Sequence, residues 1–210
     1  MKAAEELKFR AGDLWDKYVR HDFVVKAKNG MLPREVFRYY LVQDSKYFFE
    51  MERAVLIASS HAPLDEAIDV INALFGTPLK GKEVHDRLYS ALGIAGSELT
   101  STGFNLVNYA YTRHLLYYAL LGWPQFLAAW APCMWGYSDI GHFASDSPDP
   151  IYREWAEFYA SDDYSSRVRT ILDVLNRYPV TSDMERGFLT SVRFEIMFWE
   201  ASMRREPTTF

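Results

Sequence analysis

Residues 115–138 read LLYYALLGWPQFLAAWAPCMWGYS, 24 positions without a formal charge. A run of that length is enough to cross a bilayer, so its reading decides the class of the protein. Gly122, Trp123 and Pro124 interrupt it. Glycine weakens a helix, and proline ends or kinks one. The stretch therefore reads as the end of one buried helix, placed at 103–121, and the start of another running from Pro124 to about 143. Outside it, apolar residues recur at spacings of three and four, and strand-like alternation is scarce. Leu7, Ala11, Leu14, Trp15 and Tyr18 predict a helix over 3–20. Leu32-Pro33 opens another to about Ser59, because proline suits a first helical turn. Ala62-Pro63 restarts the chain, and Gly76 with Pro78 ends that helix. Further helices are expected at 80–92, 150–160, 163–177 and 183–204. Short connections place successive helices side by side. The pattern contains no internal repeat, low-complexity tract or linker, so one all-α domain spanning 1–210 is the expectation.

Composition narrows the function. Apolar residues make up 49% of the 210 and charged residues 24%, as in a folded globular chain. The net charge of −5 offers no basic footprint for nucleic acid. A single cysteine excludes an intramolecular disulfide framework and fits a reducing compartment. Charged residues crowd the first twenty positions, which leaves no room for an apolar leader. We expect a soluble, cytoplasmic protein that does not act on membranes.

Reactive side chains stand where core residues belong. The stripe Phe37, Leu41, Asp44, Phe48, Met51, Val55 carries a carboxylate in its middle. Phe188, Val192, Glu195 and Trp199 form a second such stripe. Phe126, Trp130, Cys133 and Tyr137 share one face of the helix from Pro124, Tyr111 and Tyr118 flank Leu115, and Trp155 and Tyr159 share another face. A carboxylate turned to a core is costly unless paired or hydrogen-bonded, so Asp44 and Glu195 are as well explained by structure as by chemistry. A lone cysteine on an apolar face is usually a small hydrophobe. Cys133, however, follows Pro132 inside a helix. That proline deprives the Ala128 carbonyl of its donor and bends the chain, a device that can aim a side chain into a cavity.

The segments Phe37–Tyr47, Tyr109–Thr112, Pro132–Tyr137, Ile151–Tyr159 and Phe194–Trp199 together resemble the TenA family, also called thiaminase II or aminopyrimidine aminohydrolase. The resemblance spans most of the chain. It implies a haem-oxygenase-like helical fold, a homotetramer, and no cofactor or metal. By position, Cys133 matches the nucleophile and Glu195 the catalytic acid/base. Asp44 matches the carboxylate that holds the amino group and a ring nitrogen of a 4-aminopyrimidine. Tyr47, Tyr111, Tyr137, Tyr159 and Phe198 match the aromatic pocket around the ring. Met134, Asp139 and Phe194 depart from the pattern, in place of an aromatic residue, a Glu and a Tyr respectively, and bear on substrate preference.

The implied partner is a small aminopyrimidine or thiamin. The implied reaction replaces a leaving group on the exocyclic methylene with water, through nucleophilic catalysis. Glu195 against apolar walls should have a raised pKa, as a proton carrier needs. Burial should also raise the Cys133 thiol, with no evident cation to offset it, and Asp44 should stay ionised where tyrosine hydroxyls donate to it. Two alternatives remain. A pyrimidine-binding protein without catalysis would use the same pocket. A haem or di-iron oxidase would need histidines; His21 and the Asp139/His142 pair are the nearest candidates, and a satisfied or exposed histidine is the likelier state of His21, His61, His85, His114 and His142.

Overall fold

The computed structural model describes residues 1–76 and 78–210, with the side chains of 78–80 left aside. Among the described residues there are twelve helices: α1 Ala3–Ala11, α2 Asp13–Val19, α3 Asp22–Lys28, α4 Arg34–Ser59, α5 Leu64–Phe75, α6 Pro78–Ala91, α7 Gly96–Ser101, α8 Leu106–Leu121, α9 Trp123–Ala144, α10 Pro150–Ala160, α11 Asp162–Leu175 and α12 Ser182–Arg204. The chain is an all-α bundle. The uncharged run 115–138 is split as expected, between the end of α8 and most of α9. No helix among the described residues is long and apolar enough to cross a membrane. The run is apolar because α9 is the axis of the bundle. It packs against α12, α10, α8 and α11, so it buries nearly every side (Phe126 to Met134 without interruption). A helix surrounded by protein needs no polar face.

Two departures from the sequence expectation have local causes. The single helix foreseen over 3–20 is broken at Gly12, whose φ of 50° and ψ of −132° suit glycine alone. The break lets Trp15 and Tyr18 turn onto α9 independently of α1. The helix foreseen from 103 begins instead at 106. Phe104 is drawn into a reciprocal backbone pair with Phe210, at N···O distances of 2.7 and 3.1 Å, and Asn105 caps α8 by accepting from the Asn108 amide at 2.8 Å. The short helices α3 and α7 were not foreseen, and Pro78 opens α6 as well as closing the region after α5. The remaining ends agree to within a few residues. They carry side-chain caps from Asp149, Ser161 and Thr181, which accept from amides of the first turn.

Packing between helices is close where glycine allows it. A Cβ on Gly141 would stand 2.6 Å from the backbone of Tyr159 and Ala160, so α9 and α10 meet there backbone to backbone. A Cβ on Gly136 would overlap the Tyr18 ring at 2.1 Å. These two contacts fix α9 against α2 on one side and α10 on the other, with Pro132 and Cys133 just ahead of them.

Candidate active site

Five of the eight residues expected at the site line one cavity. Asp44 and Tyr47 come from α4, Cys133 and Tyr137 from α9, and Tyr159 from α10. Phe48, Met51, Met134, Phe158 and Tyr164 complete most of the wall, which bounds about 420 Å³ of space that is open to solvent. Four helices converge because the stripes that carry these residues are the same stripes that bury α4, α9, α10 and α11. All five expected residues are buried, Cys133 being 8% exposed.

Glu195, Tyr111 and Phe198 do not line this cavity; they stand behind it. Tyr47 packs against Tyr111 at 4.9 Å between ring centres and against Phe198 at 6.3 Å. The Tyr111 hydroxyl donates to Glu195 Oε1 at 2.7 Å. Phe194 stacks on Tyr111 at 5.1 Å with the rings nearly parallel, so the departure from Tyr at this position leaves an apolar back to the residue that holds Glu195. On the other side, Tyr40 donates to the Tyr137 hydroxyl at 3.2 Å, and Tyr137 meets Tyr159 at 4.9 Å. Burial pushes Tyr47, Tyr111, Tyr137 and Tyr159 well above their ordinary pKa, so each keeps its proton.

Burial also sets the two groups expected to do chemistry. It lifts Glu195 to about 8; the hydrogen bond from Tyr111 pulls the other way, the charge of Asp44 adds to the rise, and Tyr18 opposes it. Burial raises the Cys133 thiol well above its ordinary value, helped by the charges of Glu195 and Asp44, while a hydrogen bond with Tyr47 lowers it. The resting site therefore holds a neutral thiol beside a carboxyl group that exchanges its proton near neutrality. Both directions agree with the sequence expectation.

The surroundings of Asp44 were not foreseen. Asp44 Oδ2 has no hydrogen-bond partner among the described residues and faces His85 Nε2 of α6 at 3.5 Å. His85, expected only as a satisfied or exposed histidine, thus stands at this candidate site. Arg167 of α11 also lies on the cavity wall. A larger vestibule of about 1290 Å³ of empty space adjoins the cavity. It shares Asp44, Phe48, Leu74, Phe158 and Arg167 with the inner wall and adds His85, Phe75 and Tyr89.

The residues that suggested iron are engaged otherwise. His21 Nδ1 accepts the Phe23 amide at 3.2 Å as the cap of α3. Asp139 accepts from Lys8 at 2.8 Å and from Trp15 Nε1 at 3.0 Å. Among the described residues no group of three or more His, Cys, Asp or Glu is placed to hold a metal ion.

Comparison with known proteins agrees with this architecture. A TenA-like protein of Sulfolobus solfataricus P2 is 49% identical over the whole of both chains, with a TM-score of 0.97. A TenA homologue from P. horikoshii OT3 is 28% identical, covering 97% of this chain and 99% of its own, with a TM-score of 0.87. The aminopyrimidine aminohydrolase of Bacillus subtilis (strain 168) is 27% identical across 98% of this chain and 92% of its own length. The model of the TENA/THI-4/PQQC family matches residues 10–206. Matched over nearly its full length, the chain belongs to the TENA/THI-4/PQQC family.

Proposed function

We propose that the protein is an aminopyrimidine aminohydrolase. It converts 4-amino-5-aminomethyl-2-methylpyrimidine and water into 4-amino-5-hydroxymethyl-2-methylpyrimidine and ammonia, in thiamin salvage. Thiamin is a second substrate of the same chemistry, giving the same alcohol and the free thiazole. The observation that carries the reading is one aromatic cavity that brings a carboxylate, Asp44, and a thiol, Cys133, to its walls, with the Glu195 carboxyl buried behind. A flat, nitrogen-rich ring with an exocyclic amine suits such walls: aromatic faces stack on it and the carboxylate accepts its N–H groups.

In the mechanism, Asp44 accepts from the amino group and fixes the ring. Glu195, near 8, is mostly protonated at neutral pH and shares its proton with a ring nitrogen, which draws electrons from the ring. As Glu195 gives its proton to the ring, its carboxylate takes the proton of the Cys133 thiol, with the Tyr47 hydroxyl supporting the thiolate. The thiolate adds to a ring carbon. Electron flow from that adduct expels the protonated amine from the methylene; water adds to the methylene, and the Cys133–carbon bond breaks to restore the ring and the thiol. Tyr111, Tyr137, Tyr159 and Phe198 hold these groups in register. The whole chain acts as one domain in this reading, in the cytoplasm and as a homotetramer. Exposed Tyr117 and Leu120 of α8 and Leu56 of α4 support the last point as apolar surface available for assembly.

The test is product analysis by mass spectrometry on metal-free protein, with the aminomethylpyrimidine and thiamin in parallel. The hydroxymethyl alcohol should form from both, faster from the aminomethylpyrimidine. Binding without product from either substrate would move the protein to a pyrimidine-binding role.

A further inference from the structure

His85 and Asp44 meet where the inner cavity opens into the vestibule. His85 Nδ1 lies 2.8 Å from the Gly81 carbonyl oxygen. A carbonyl only accepts, so Nδ1 carries a proton and Nε2 is the atom turned to Asp44 Oδ2, 3.5 Å away. Both of these atoms are buried, and neither has a hydrogen-bond partner among the described residues. Phe48, Tyr89 and Phe158 surround the imidazole at 6.0–6.1 Å between ring centres and hold it in this orientation. A bare Nε2 would set two acceptors against each other in a gap shielded from water. A proton on Nε2 turns the same contact into a charge-assisted hydrogen bond.

We propose that His85 is a positioning residue for Asp44: its proton-bearing ring holds the carboxylate for the inner cavity, so that substrate is captured by the pair rather than by Asp44 alone. This rests on the reading of Asp44 as the carboxylate that holds the substrate. The other titratable or charged groups around the vestibule are Glu52 from α4, Arg167 from α11, and Lys82, Asp86 and Tyr89 from α6 itself; Lys82 and Asp86 pair with each other at 2.5 Å. Burial draws His85 down, but the nearby Asp44 carboxylate, the Gly81 carbonyl and Asp86 outweigh it and leave the ring above the ordinary histidine value. The positioning is therefore complete in acid and is lost as pH rises through the His85 titration.

The experiment combines two measurements on wild type, His85→Gln and His85→Leu. Calorimetry follows binding of 4-amino-5-hydroxymethyl-2-methylpyrimidine from about pH 6 to 9, and steady-state kinetics separates kcat from KM. Histidine NMR on wild type and Asp44→Asn assigns the titration. Wild type should lose affinity as His85 loses its proton, and that titration should move to lower pH in Asp44→Asn. His85→Gln still offers an N–H to Asp44, so it should keep the acid-side affinity and lack the transition. On the acid side His85→Leu should bind about tenfold or more weakly than wild type, the worth of one hydrogen bond to a charged group, with the loss in KM rather than kcat, and the difference should close as His85 loses its proton. Acid-side binding by His85→Leu within twofold of wild type, or survival of the transition in His85→Gln, overturns this proposal alone. Failure of wild type to bind the pyrimidine overturns both this proposal and the functional reading.

Discussion

Glu195 is only 2% exposed, and the cost of charging it there gives the residue a role in stability as well as in chemistry. Its folded-state pKa of about 8 stands above the ordinary 4.5. Between those values the folded protein keeps a proton that the unfolded chain has released. The stability associated with that proton is complete below about 4.5 and is lost as pH rises through about 8. Glu195→Gln keeps an acceptor for Tyr111 and removes the titration. It should raise Tm at pH 9 by about 4–8 °C, for a gain of roughly 2 kcal/mol in a chain of this size, leave Tm at pH 4 nearly unchanged, and abolish turnover. Thermal denaturation across that pH range checks the sign; a Tm gain equal at both ends would show that Glu195 is not held neutral by the fold. Asp44 and Glu195 drew notice in the sequence because each interrupts an apolar stripe, and Cys133 because it follows Pro132 inside a helix. His85 was not, because its helix is rich in Lys, Glu, Asp and Arg and shows no continuous stripe for a histidine to interrupt. Nor could periodicity separate Tyr137, on the cavity wall, from Tyr111 behind it, since both are buried aromatics at helical spacing.

At the scale of the element, α9 carries the site. Pro132 lies in its interior and Cys133 follows, and the Tyr18 hydroxyl donates to the Pro132 carbonyl at 3.4 Å. One turn later Gly136 admits the Tyr18 ring, and beyond it Gly141 admits the backbone of α10. Gly141→Ala places a methyl group against backbone that has no rotamer to give. The two helices must separate, at a cost of about 3 kcal/mol, or a Tm lower by about 6–12 °C. Thermal denaturation of the variant measures this, and a change under 2 °C would contradict the close approach. Because Tyr137 of α9 and Tyr159 of α10 both line the cavity, that separation should also weaken pyrimidine binding. The long helices were legible from their spacing and their prolines. The break at Gly12 was not: a glycine inside a helical pattern reads only as a cost, while its left-handed φ is imposed by the docking of α2 onto α9. The delayed start of α8 has a similar origin, in the pairing of Phe104 with Phe210, more than a hundred residues away in the chain.

At the scale of the molecule, aromatic side chains from α2, α3, α4, α9, α10 and α12 form one continuous cluster. Trp199 touches Tyr18, Phe23, Tyr40 and Tyr137, and Trp155 touches Phe37, Tyr40, Tyr137 and Tyr159. Such rings are large and fit few arrangements, so the cluster that stabilises the bundle also fixes the cavity at its edge. The chain's 14 Phe, 14 Tyr and 6 Trp residues supply this interior; its division into core and cavity is a property of the assembled helices. In the proposed mechanism this cavity performs covalent chemistry through Cys133. Cys133→Ser tests that step most directly, with turnover of the aminomethylpyrimidine and calorimetric binding of the hydroxymethyl alcohol measured on the same preparation. Turnover should fall by about a thousandfold or more, with binding within a few-fold of wild type. Turnover within tenfold of wild type would contradict it.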